Sequence, residues 1–214
     1  MILISDPRVA AVPLGDNGEP LVDLRTVPEL SVDARLADSR GAFARIREGA
    51  LDRLLAAQRS LPSGLRLLVV EAYRPLRLQR TYFDDYRAEL RSLYPAWDES
   101  RVYLEASKYV SPPEVAPHST GGTVDLTLAG SDGLELDMGT AVNDSPVASG
   151  NACFTAAAHI PVAARRNRFV LGSALRSAGF VNYPTEWWHW SFGDRYWALA
   201  SGAPRTRYGP VDVG

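Results

Sequence analysis

Cysteine is almost absent: Cys153 is the only one in 214 residues, so no internal disulfide can form. Followed by Phe154 and an alanine run, it reads as a small buried hydrophobe rather than a nucleophile. No stretch approaches the roughly 20 apolar residues of a membrane span. Residues 1–7 lack the basic flank and the long apolar run of a secretory signal, so the chain as given reads as cytoplasmic. Neither sign of charge dominates: Asp and Glu number 25 against 23 Lys and Arg, a formal net charge of -2. The one basic run, Arg165-Arg166-Asn167-Arg168, reads as a helix start or its solvated face, so nucleic acid is not an expected partner. Internal repeats and low-complexity tracts are also missing. What remains is an ordinary globular composition, 46% hydrophobic and 22% charged. A chain of this length buries a core without staples, so a metal here is expected to be catalytic rather than structural. We read residues 1–214 as a single domain; composition carries no signal for an oligomeric state.

Residues 1–39, rich in Pro, Asp and Gly, read as an arm packed on the domain, with a short strand near residues 21–24. Apolar spacings of three and four predict a helix over 41–60, ended by Pro62-Ser63-Gly64. A strand is expected over 65–73. A second helix is expected over 76–93, with Leu78, Tyr82, Tyr86, Leu90 and Leu93 on one face. A short helix fits 99–106. From 123 to 128 the sequence alternates, so that Val124, Leu126 and Leu128 face the core and Asp125 faces polar company. Residues 130–161 read as a long loop, of the kind that more often than not is functional. A last helix over 162–178 ends at Gly179, and a strand over 185–192 closes an α+β domain with a small, mainly antiparallel sheet.

The chemistry concentrates in two stretches. Glu186-Trp187-Trp188-His189 sets a carboxylate three residues ahead of an imidazole. Upstream, His118 precedes Asp125 by seven residues, with Gly121-Gly122 between them to let the chain turn. Taken singly these residues have ordinary readings: a satisfied histidine, a solvated aspartate, a capping glutamate. Together, two imidazoles and a carboxylate with an open fourth position form a familiar catalytic zinc set. Glu186 is then placed to act as general base on the attacking water. Arg74, ahead of Pro75 at a strand end, is either a solvated turn residue or a fixed positive charge for an oxyanion. His159 has no such company and reads as structural.

Four motifs in order resemble the D-alanyl-D-alanine dipeptidases of the VanX type, zinc D,D-peptidases that share a fold with the N-terminal Hedgehog domain. They are Glu71-Ala72-Tyr73-Arg74-Pro75, His118-x-x-Gly121-x-x-x-Asp125-Leu126-Thr127-Leu128, Asp137-Met138-Gly139-Thr140 and Glu186-Trp187-Trp188-His189. The resemblance covers roughly residues 40–192. It implies a Hedgehog/DD-peptidase-like fold, one zinc per chain held by His118, Asp125 and His189, Glu186 as base, and Arg74 as transition-state stabiliser. It also implies that Asp144 holds the substrate's ammonium, with Tyr73 as a further substrate contact. The implied activity is hydrolysis of D-alanyl-D-alanine to two D-alanines, in a cell-wall or vancomycin-resistance setting. The chain departs from the family at Ala116, where serine is common, at Asn143, where an aromatic is usual, and over 30–36, which lacks the family's aromatics. These departures fall on the pocket wall. They keep two alternatives open: a related zinc peptidase or amidase acting on another small peptide, and a non-catalytic zinc-binding module.

Overall fold

Two apolar runs rich in branched side chains pair at the centre of the fold. In the structure, a computed structural model that describes residues 1–212, β4 (Arg66–Glu71) and β5 (Thr123–Ala129) are antiparallel neighbours. β7 (His189–Ser191) lies antiparallel on the other side of β5, and β6 (Val181–Asn182) follows it. β2 (Ser31–Val32) adds in parallel to β4, giving the order β2-β4-β5-β7-β6. A separate ribbon pairs β1 (Leu21–Asp23) with β3 (Arg45–Arg47). The expected α+β class with a mainly antiparallel sheet is what forms.

Alternation along β5 sorts its side chains as expected. Val124, Leu126 and Leu128 share one buried cluster with Ala50 and Leu54 of α2 (Glu48–Ser60) and Leu171 and Leu175 of α5 (Val162–Ser177). Cys153 belongs to the same cluster and is fully buried. The register brings Glu71 opposite Asp125 and Asp125 opposite His189, a row of polar residues across three adjacent strands.

Two smaller clusters complete the body. Ile4 and Val9, the latter on α1 (Pro7–Ala10), pack with Val115, Tyr183 and Tyr196. The pair α3 (Leu76–Leu93) and α4 (Glu99–Ala106) closes on its own apolar set of Phe83, Leu90, Val102 and Ala106. α6 (Arg195–Ser201) is capped by Asp194, whose carboxylate accepts the Trp197 N–H. α3 and α4 match their expected bounds. α5 stops one residue short, with Gly179 at φ +89 taking the left-handed conformation that ends it.

Three expectations need correction. The helix expected over 41–60 begins only at Glu48. Residues Ala42–Ala44 form a 3₁₀ turn, and Arg45–Arg47 is drawn out as β3 because the edge of β1 pairs with it. Phe43 and Ile46 are buried all the same, so their spacing served two conformations equally. On α3 the packed face is Gln79, Phe83 and Leu90, while Leu93 is 61% exposed. The strand expected over 185–192 is limited to His189–Ser191, since the residues before it make a turn with Glu186 N–H on the Tyr183 carbonyl.

Candidate active site

That turn matters chemically. Along one strand, residues 186 and 189 would face opposite sides of the sheet. Instead the His189 N–H returns to the Glu186 carbonyl at 3.3 Å, and Glu186 Oε2 lies 3.6 Å from His189 Nδ1. The neighbouring tryptophans anchor the turn. Trp190 donates to the Trp187 carbonyl, and Trp187 donates to Thr140 Oγ1 at 2.8 Å.

His118 sits in the 3₁₀ turn His118–Thr120, which Gly121 closes at φ +73. A Cβ at Gly122 would meet the Phe192 carbonyl oxygen at 2.1 Å, so only glycine lets the chain pass into β5 there. The Nδ1 of His118 is 2.7 Å from the Ala72 carbonyl oxygen. A carbonyl only accepts, so Nδ1 carries the proton and Nε2 presents its lone pair. Nε2 points at Asp125 Oδ2, 3.3 Å away. On the other side Asp125 Oδ1 lies 3.0 Å from His189 Nδ1, but out of line for a hydrogen bond.

Ligand atoms of His118, Asp125 and His189 thus lie within 4.8 Å of one another, and all three residues are buried. A lone pair facing a carboxylate is repulsive unless a proton or a metal ion lies between them. Asp125 Oδ1, buried and facing His189 Nδ1, has no hydrogen-bond partner among the described residues. An N,N,O donor set of this kind, tied back through a main-chain carbonyl, fits a zinc ion. Burial works to raise the Asp125 carboxyl, but the two imidazoles outweigh it and hold the group far below its ordinary value. His118 is shifted upward, since Asp125 overcomes the opposing effect of burial.

Glu186 and Arg74 line the same cavity as the three ligand candidates, a space of about 390 Å³. Burial pushes the Glu186 carboxyl up to about 7; His189 opposes and Asp125 adds to the rise. Arg74 leaves the end of β4 just ahead of Pro75, and its guanidinium is held on two sides. Glu71 accepts from Nε at 2.8 Å and from Nη2, and Gln79 Oε1 accepts from Nη1 at 2.8 Å. Gln79 is itself fixed by donating to the Ser111 carbonyl at 2.7 Å. A guanidinium has five N–H groups; these contacts use three and leave two. Burial acts against the Arg74 charge, but Glu71 more than offsets it and the pKa is raised.

The structure therefore brings His118, Asp125, His189, Glu186 and Arg74 together. It does not bring Tyr73 or Asp144 into the cavity lining. Tyr73 is fully buried with its hydroxyl on the Val211 carbonyl at 2.8 Å. Asp144 uses Oδ2 to accept the Ala141 N–H at 3.0 Å, and its neighbour Asn143 is the wall residue. His159 is exposed. Glu71 and Gln79 hold Arg74 without a sequence signal of their own, although Glu71 and Arg74 are spaced to meet at a strand end. The α3 face of Tyr82, Asp85, Tyr86 and Glu89 also lines the cavity, and its helical spacing was legible. No helix among the described residues is long and apolar enough to cross a membrane.

The fold and this constellation define a metallopeptidase-type site, and comparison with known proteins gives the family. Residues 46–202 match the peptidase family M15 described as D-ala-D-ala dipeptidase. A D-alanyl-D-alanine dipeptidase of Synechocystis sp. is 32% identical, over 88% of this chain and 87% of its own. One from Enterococcus faecium is 30% identical, over 66% of this chain and 69% of its own. Among solved structures, the LD-carboxypeptidase LdcB aligns with a TM-score of 0.48 at 20% identity, over 89% of this chain and 77% of its own. The chain belongs to the D-Ala-D-Ala dipeptidase family of peptidases, a family of zinc metallopeptidases.

Proposed function

We propose that this chain is a zinc-dependent dipeptidase that hydrolyses D-alanyl-D-alanine to two D-alanines. The observation that carries the reading is the buried His118, Asp125 and His189 cluster opening with Glu186 and Arg74 into one cavity, in a chain of this family. His118 through Nε2, Asp125 through its carboxylate and His189 through Nδ1 would hold the ion, one per chain. Zinc held there supplies Lewis acidity that eases the ionisation of water near neutral pH.

The chain's own groups do the rest. Glu186 takes a proton from the attacking water as the new C–O bond forms at the scissile carbonyl carbon. The two N–H groups that Arg74 keeps free donate to the carbonyl oxygen as it gains negative charge. When the C–N bond breaks, Glu186 passes its proton to the departing amine, which leaves as D-alanine. A carboxyl whose burial brings it close to neutral is suited to both transfers. The buried setting strengthens each of these charge contacts relative to water.

We read the whole chain, residues 1–214, as one such domain acting in the cytoplasm. Packing of Ile4 and Val9 against Val115, Tyr183 and Tyr196 supports taking the N-terminal arm as part of it. There it would remove a cell-wall precursor, in vancomycin-type resistance or in recycling D-alanine. One observation favours a second reading, a related peptidase acting on another small peptide: Asn143, not Asp144, lines the cavity.

The test is alanine release from D-Ala-D-Ala by zinc-loaded protein, beside L-Ala-L-Ala and the Glu186→Gln variant. Release from the D,D isomer is expected, with a fall of at least about 100-fold in the variant. A variant as active as the parent would remove Glu186 from the mechanism. Release only from other members of a dipeptide panel would select the second reading.

A further inference from the structure

One bond ties two walls of the cavity together across a gap in sequence. The Tyr109 hydroxyl donates to the Asn143 carbonyl at 2.6 Å, and both residues line the cavity. Asn143 comes from the long loop and takes φ +69, a left-handed conformation that asparagine tolerates better than most residues. Tyr109 comes from the far end of the helical pair, braced edge-to-face by Tyr86 at 5.3 Å. That pair is closed on its own apolar set, apart from the main core. The hydroxyl bond is thus a tie between an independently packed wall and the loop facing it. Tyr109 also feels negative charge from the site side. Burial pushes its hydroxyl up to about 12, with Glu186 and Asp144 among the groups adding to the rise. The wall beside it is also acidic, since Asp85 and Glu89 line the cavity on the same face of α3 as Tyr86, and a cationic ammonium entering the cavity is drawn toward this end.

We infer that the Tyr109–Asn143 bridge is the specificity-determining bar at the ammonium end of the cavity, limiting the substrate to dipeptides. The inference rests on the dipeptidase reading above and adds the residue that sets chain length. A dipeptide ends in a free ammonium just before its scissile bond. A peptide one residue longer carries a neutral amide there and must continue through the space the bridge spans. Tyr109 bonds to Asn143 and packs on Tyr86, not on the metal-ligand candidates, Glu186 or Arg74, so its effect falls on which substrates fit rather than on the chemical step.

The experiment compares wild-type protein with Tyr109→Phe, which keeps the ring and cuts the bridge, and Tyr109→Ala, which removes both. Each is assayed on D-Ala-D-Ala and on Gly-D-Ala-D-Ala, which share one scissile bond. The ratio of kcat/KM for the longer over the shorter peptide is expected to rise about tenfold or more in Tyr109→Ala, with Tyr109→Phe between. A ratio unchanged in both variants overturns the proposal. A second readout needs no peptide: zinc loss to a bulky chelator, relative to a small one, is expected to be faster in Tyr109→Ala, and equal relative rates overturn the bridge as a bar. Failure of the wild-type protein to cleave D-Ala-D-Ala would overturn the substrate reading instead, leaving the chelator comparison to decide the bridge.

Discussion

Asp125 is the residue on which the site turns, because it stands between two imidazoles that each approach within 3.3 Å. Asp125→Asn keeps the shape and removes the charge, placing an amide where a cation's anionic ligand belongs. Zinc affinity is expected to fall by at least about 100-fold, read by chelator competition on folded protein. Unchanged affinity would demand another third ligand. Glu71 acts one step further out: it aims Arg74, whose guanidinium it grips through both carboxylate oxygens. Glu71→Gln leaves Arg74 buried and half-held. We expect kcat to drop about 10-fold or more with zinc content unchanged, whereas a drop in zinc content would assign Glu71 to the metal site. The ligand candidates were legible in the sequence because glycines and strand alternation restrict where His118 and Asp125 can point. Tyr73 and Asp144 were not, because adjacency to a motif says nothing about side-chain direction. The Tyr73 hydroxyl finds a carbonyl near the C-terminus, and the Asp144 carboxylate finds its own turn.

Elements show the same division between local and distant causes. Helices α3 and α4 follow from their own signals, such as Asp98 accepting the Arg101 N–H at the start of α4. β3 does not, since its partner lies more than twenty residues away along the chain. The segment 130–161 reads as an unpatterned loop, yet one side chain from α5 organises it. Arg168 is 5% exposed and donates to the carbonyls of Met138, Phe154 and Ala152 at 2.7, 2.8 and 2.9 Å. Its guanidinium also lies 5.4 Å from the Trp187 ring centroid, which joins the loop to the turn carrying Glu186. Burial without a carboxylate partner lowers its pKa to about 10, still charged at neutral pH. Arg168→Met strands three carbonyls, and we expect a loss of about 3 kcal/mol in denaturant unfolding. Arg168→Lys should recover only part of this, because an ammonium lacks the planar fork that reaches three separated oxygens. Full recovery by lysine would mean that charge alone orders the loop.

At the scale of the whole molecule, the two ends of the chain are locked to each other behind the site. Thr206 Oγ1 accepts the Gly15 N–H at 2.8 Å and donates to the Gly15 carbonyl at 2.7 Å. Glu19 is the hub: it accepts from the Gly49 N–H at 2.9 Å, from the Tyr208 hydroxyl at 2.7 Å and from Arg207 at 2.5 Å. Tyr208 in turn packs beneath Gly122 and Gly193, where added Cβ atoms would strike its ring at 2.6 and 2.5 Å. The lock therefore supports the turn from His118 into β5. Burial acts to raise the Glu19 carboxyl, but the hydrogen bonds win and lower it to about 2 from an ordinary 4.5. A carboxyl depressed by folding contributes stability above its unfolded pKa and loses it as pH falls toward the folded one. Glu19→Gln cannot titrate. The difference in unfolding midpoint between wild type and variant should be largest at pH 6, shrink below about 4.5 and vanish near 2. The pH dependence of the rest of the protein is common to both proteins and cancels in the difference. A gap that stayed constant across this range would mean that the Glu19 contacts act through shape and packing rather than through its charge.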